Sequence, residues 1–250
     1  MNESNPLTPS VPPIIPSPGS AAAPLGDHPN DRVPIDGFAS ALEAILRQPR
    51  RVMFQLRDGQ AGPIIAAFLT TAIGCALIYG IVVGTFSGGS QLWAAPLKIA
   101  VGLLISALIC LPSLYIFSCL GGSKARLVEV FGLLAGSLAL MTVLLIGFAP
   151  VAWVFSQSTA SLPAMGALHF FFWFVATYFG LRFLSAGFAQ QQIKSKTGLN
   201  VWILIFLLVA VQMTTALRPL LGKGDTLLPS EKKFFLQHWS ECMTGKPAQP

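Results

Sequence analysis

The pattern of apolar and polar positions divides the chain into unequal regimes. Residues 1–34 show no periodicity and carry nine prolines, from Pro6 through Pro34, among Ser and Ala. Such spacing forbids a continuous helix and leaves few groups to bury, so it predicts a disordered tail, residues 1–35, with polyproline character. From Asp36 the pattern changes. Phe38, Leu42, Ile45 and Leu46 recur at helical spacing, with Asp36 available as a cap and Pro49 as an interruption. Five long apolar runs then follow: Pro63–Phe86, Pro96–Leu120, Leu127–Phe155, Pro163–Phe188 and Val201–Leu217. Each reaches roughly the 17–20 residues that cross a hydrocarbon core, the fifth only just. They lack strand alternation, so they are read as helices whose backbones satisfy themselves in lipid. The third run is long for one span and too short for two. It is read as one tilted helix or one broken at Pro150; Pro112 breaks the second run in the same way.

Composition agrees with this reading. The chain is 53% hydrophobic and 10% charged, where soluble domains carry about 25% charge. The predicted fold class is therefore all-α: a polytopic membrane helix bundle of about five transmembrane helices. An N-terminal interfacial helix precedes it. The organisation is tail 1–35, basic amphipathic elbow 36–57, membrane domain 58–217 and C-terminal tail 218–250. The first apolar run begins too far in for a secretory signal peptide.

Charge adds orientation. Arg47, Arg50, Arg51 and Arg57 cluster before the first span. They are expected to hold the elbow on an anionic membrane surface, or to act simply as topogenic charges. Lys124 and Arg126 fall in the second loop and Lys194 and Lys196 in the fourth, while the first and third loops carry no basic residue. The alternation predicts a cytoplasmic N-terminus and an external C-terminus. Arg218, Lys223, Lys232 and Lys233 run against it. Trp93 and Trp153 are expected at the outer interface and Trp202 at the inner one. The net charge of +6 sits beside apolar runs rather than on one face, which fits a lipid surface and not a nucleic acid.

Candidate chemistry is sparse. No zinc-type Cys/His spacing, no nucleophile triad and no phosphate-binding glycine loop occurs, so no catalytic residue, metal or cofactor is expected. Cys75, Cys110 and Cys119 lie within or at the edges of apolar runs and read as small apolar residues; Cys242 lies in the tail. Gly80 and Gly84, and Gly132 and Gly136, form GxxxG steps that let helices approach closely, within this chain or in an oligomer. Four intramembrane polar residues are functional candidates. Glu129 has Arg126 three residues before it, and Arg182 is expected to snorkel to the inner surface. His169 and Gln212 sit near the outer ends of spans four and five, within reach of a cross-helix hydrogen bond. The tail from Leu217 to Trp239, with Phe234, Phe235 and Trp239, is expected to cap the outer mouth or to dip into the interface.

The order of parts resembles the Yip-type membrane proteins: a proline-rich tail, a basic elbow and five spans. Cys110-Leu-Pro-Ser-Leu-Tyr-Ile-Phe-Ser118 followed by Leu120-Gly-Gly-Ser-Lys-Ala-Arg-Leu127 is similar to the segment where that family carries its characteristic residues. Ala216-Leu-Arg-Pro-Leu-Leu-Gly222 and Phe234-Phe-Leu-Gln-His-Trp239 resemble the ends of a group of bacterial multi-pass proteins, some of which carry actin-binding names. No Leu-Lys-Lys-Thr-type actin motif occurs here. The resemblance covers residues 38–240. The absent chemistry, thin loops and GxxxG faces point to a non-enzymatic scaffold that organises lipids or an unidentified membrane or cytoplasmic protein partner, and the resemblance places it in a bacterial inner membrane. A permease-like transporter subunit is the alternative reading.

Overall fold

A computed structural model describes residues 25–35, 37–58, 61–89, 91–159, 161–190 and 197–216. These residues are all-helical. A short 3-10 helix, Pro29–Arg32, precedes α1 (Gly37–Arg47), α2 (Pro49–Arg57), α3 (Ala61–Ser87), α4 (Gln91–Leu120), α5 (Leu127–Ser158), α6 (Leu162–Gln190) and α7 (Thr197–Ala216). Pro49, Pro63 and Pro163 each fall in a first helical turn, where the missing N–H would be unpaired in any case.

Among the described residues four helices, α3 to α6, are long and apolar enough to cross a membrane, and the chain is a helical membrane bundle of multi-pass type. The last helix is shorter: its apolar stretch runs only over Thr197–Met213. At about 1.5 Å per residue it covers roughly 25 Å of a core about 30 Å thick.

Small residues decide who sits inside. Every residue of α5 from Gly132 to Thr142 is buried. There the helix is surrounded: Leu56 of α2 lies over Gly132, Phe68 of α3 and Phe183 of α6 flank Gly136, and Ser137 Oγ donates 2.8 Å to the carbonyl of Gly180 on α6. α3 packs on α5 and on α4, α6 on α5, and α7 along α4. Gly80 shows why a side chain is excluded from the α3–α4 seam. A Cβ there would overlap the backbone of Pro96, which has no freedom to move away.

Three expectations are corrected. Neither Pro112 nor Pro150 breaks its helix; α4 and α5 run continuously through them, with both ring faces exposed. Pro96 does not open α4, which begins at Gln91. The elbow is two helices, not one, because Pro49 restarts the chain as the first residue of α2.

Candidate functional site

The end of the bundle that carries α1 and α2 is where the charges meet. The 3-10 helix packs on α2, and α2 packs in turn on α5 and α6. Val52, Met53 and Leu56 of α2 are buried in the main core. The elbow is thus a built part of the bundle rather than a helix floating on lipid. Across the loop, Arg126 donates Nε at 2.8 Å to Glu129 and Nη2 at 3.1 Å to the carbonyl of Arg57. That second bond ties the α4–α5 loop to the elbow. Lys124, Arg126, Arg57 and Arg47 are all exposed.

The other two elbow arginines have a different task. Arg51 is only 7% exposed. Its Nε donates at 2.9 Å to the carbonyl of Val33, its Nη2 at 2.7 Å to that of Pro34 and at 3.3 Å to Ser40 Oγ, and its Nη1 at 3.1 Å to Gln48 Oε1. One turn on, Gln55 accepts the Ile35 N–H at 3.0 Å and donates to the carbonyl of Val33. Together they grip an extended backbone whose groups the helix-breaking prolines leave unpaired. Arg50 pairs with Asp31 at 3.6 Å, and Asp31 also accepts the Gly26 N–H at 3.2 Å. Gly26 has φ of +98°, and the Phe54 ring occupies the space a side chain would need.

This geometry overturns two expectations. Arg51 is not open to a membrane surface in this conformation, because its guanidinium is enclosed and engaged by the tail. The tail is not disordered as far as residue 35: residues 25–35 fold back as a strap on α2, with Ile35 buried. Residues 1–24 lie outside the described residues. So do Leu217–Trp239 and the rest of the C-terminal tail, with the capping expectation attached to them.

Within the apolar layer, the structure gives His169 a partner other than the expected one. His169, on α6, is 7% exposed, and its Nδ1 shares a 2.7 Å hydrogen bond with the Tyr79 hydroxyl of α3. Its ring also meets Phe172 edge-on, and Phe172 stacks on Phe148 of α5. Nε2 is buried with no partner among the described residues. Gln212 is exposed on α7, which packs on α4, so the two polar candidates are not brought together. Glu129 is buried in the local pair with Arg126. Arg182 is exposed, about two turns before the end of α6. Among the GxxxG glycines, Gly80, Gly132 and Gly136 face neighbours of this chain, and Gly84 is buried.

Trp202 is also corrected. Trp93 and Trp153 are 82% and 51% exposed, but Trp202 is 0% exposed. Its Nε1 donates at 2.9 Å to the carbonyl of Cys110 and its ring stacks on Phe206. A position near the end of an apolar run fits an interfacial belt and a helix seam equally well. Tyr79, Asp31, Gln55 and Trp202 were the functional positions that sequence reasoning passed over or misplaced. For Tyr79 a signal existed, since a lone phenol in an apolar run needs a polar partner. Among the described residues no group of three His, Cys, Asp or Glu side chains is placed to hold a metal ion. No family model, no curated protein and no solved structure matches this chain.

Proposed function

We propose that this chain is a non-enzymatic membrane scaffold of Yip-type organisation. In this reading five spans run from a cytoplasmic N-terminus, in a bacterial inner membrane. The cationic end gathers anionic lipid and presents it, with the N-terminal tail, to a protein partner. The observation that carries the reading is the bond from Arg126 to the carbonyl of Arg57, which gathers the exposed charges of two separate segments at one end of the bundle. Each basic residue near an anionic surface contributes about 1 kcal/mol, so four are worth several when they act together. The intramembrane polar groups support a structural role, since Glu129, Ser137 and His169 are each bonded within the chain.

The test is native mass spectrometry of the full chain released from nanodiscs of mixed phosphatidylglycerol and phosphatidylcholine. The wild type should retain the anionic lipid preferentially. Arg47→Gln, Arg57→Gln and Lys124→Gln combined should abolish that preference; equal retention by the triple variant rejects the reading. Lys124→Cys and Ser158→Cys should label from opposite faces, position 124 from the cytoplasm.

A further inference from the structure

Among the described residues, the strap meets the Arg51 charge with neutral groups alone. Arg51 is a buried guanidinium whose four acceptors are neutral: two carbonyls, an amide oxygen and a hydroxyl. Among the described residues no carboxylate forms an ion pair with it; the strap's own acid, Asp31, lies against Arg50. A buried charge met only by dipoles is poorly compensated. A phosphate offers a full negative charge and oxygens spaced for the guanidinium fork. Besides the two hydrogen bonds to Gln55 and the Arg50–Asp31 pair, the strap's buried apolar anchor is Ile35, with Leu25 half-buried. A phosphate that took Arg51 would also compete with Asp31 for Arg50, the next residue along α2.

We propose that residues 25–35 are a releasable strap that competes with a lipid phosphate headgroup for Arg50 and Arg51. This rests on the reading of the elbow as an anionic-lipid surface and adds a control to it: two of the four elbow arginines are masked until the strap leaves. The lipid is favoured over a soluble anion because α2 ends at Arg57 and the first long apolar helix begins at Ala61, so freed groups on α2 stand at the bilayer surface.

Arg32 in the strap is exposed, and trypsin cleavage after Arg32, relative to cleavage of a free neutral reference peptide in the same reaction, reports strap release. The full chain is compared in nanodiscs of phosphatidylcholine and of phosphatidylglycerol. Each arginine gained by an anionic surface favours the released state about fivefold, so the ratio should rise between about fivefold and thirtyfold. Asp31→Asn, which keeps the acceptor for Gly26 but removes the ion pair, should raise cleavage already in phosphatidylcholine. Arg51→Lys, which keeps the charge but loses the fork, should do the same. An Arg32 to reference-peptide ratio that is equal in the two lipids overturns the strap proposal, as does an Asp31→Asn variant that cleaves like wild type. The same acceleration by inorganic phosphate in phosphatidylcholine discs overturns the assignment to lipid. Preferential retention of phosphatidylglycerol with no response at Arg32 leaves the lipid reading standing and removes the strap; loss of that retention preference removes the lipid reading itself.

Discussion

Trp202→Ala tests the seam that fastens α7 to the bundle. The indole is fully enclosed, bonded to the carbonyl of Cys110 and stacked on Phe206 at a centroid distance of 5.2 Å. Truncating a large aromatic in a water-soluble core costs about 3–5 kcal/mol, part of it transfer from water and part the cavity left behind. In the five-span reading the alternative solvent around α7 is lipid, which takes an apolar ring as readily as protein does, so the transfer part shrinks and packing remains. The hydrogen bond adds about 0.6 kcal/mol, the average for polar contacts between membrane helices. Together these give an expected loss of about 2–3 kcal/mol. Trp202→Phe keeps most of the ring and should lose only about 1 kcal/mol. The assay is reversible unfolding in mixed micelles of increasing denaturing-detergent fraction, with Trp153→Ala as the reference. Trp153 is half exposed, and its removal should stay within about 0.5 kcal/mol of wild type. Equal stability of Trp202→Ala and Trp153→Ala would refute the seam and return Trp202 to the interfacial belt.

Two further outcomes follow from the packing inside the bundle. Gly80→Leu should destabilise by roughly 1–3 kcal/mol in the same unfolding assay, because the obstacle is the backbone of Pro96 and not a movable side chain; Gly147→Leu, where nothing lies within 4 Å, should be neutral. Tyr79→Phe should cost about 0.6 kcal/mol and at most about 1.7, by leaving His169 Nδ1 without its partner. A cycle with His169→Phe should then show the two losses to be non-additive, and strict additivity would mean the bond contributes nothing.

The membrane helices were legible from sequence because an apolar run long enough to span leaves the backbone no other choice. Their sides were much less so. α3 to α7 are apolar all round, so periodicity gives no direction and the small residues become the guide. Gly132, Gly136 and Ser137 did mark the enclosed face of α5. Pro112 and Pro150 misled, because a proline on the lipid side can keep a continuous helix when its neighbours stay helical. The elbow misled for another reason. Four arginines near a span look alike in sequence, and what separates Arg51 from Arg47 is the break at Gln48: Arg47 ends α1 and is exposed, whereas Arg51 lies in α2 and is held by the strap. The strap had no signature of its own, since its partners lie 17 to 22 residues away in α2.

The corrected arginines change what the cationic end is made of. Counted along the sequence, the surface charge belonged to the elbow alone. In the folded chain, Arg47 and Arg57 remain exposed while Arg50 and Arg51 serve the strap, and the deficit is made up by Lys124 and Arg126 from between α4 and α5. The surface is therefore composite, and it exists only while the elbow is docked. That docking depends on Leu56 sitting where Gly132 has no side chain, and on Arg126 reaching the carbonyl of Arg57. A GxxxG glycine of the membrane core thereby borders the charge pattern at the membrane surface: a side chain at 132 would meet the end of the Leu56 side chain, which would have to turn aside for α2 to stay docked. Packing inside the bundle and charge outside it are one structural feature, joined at α2.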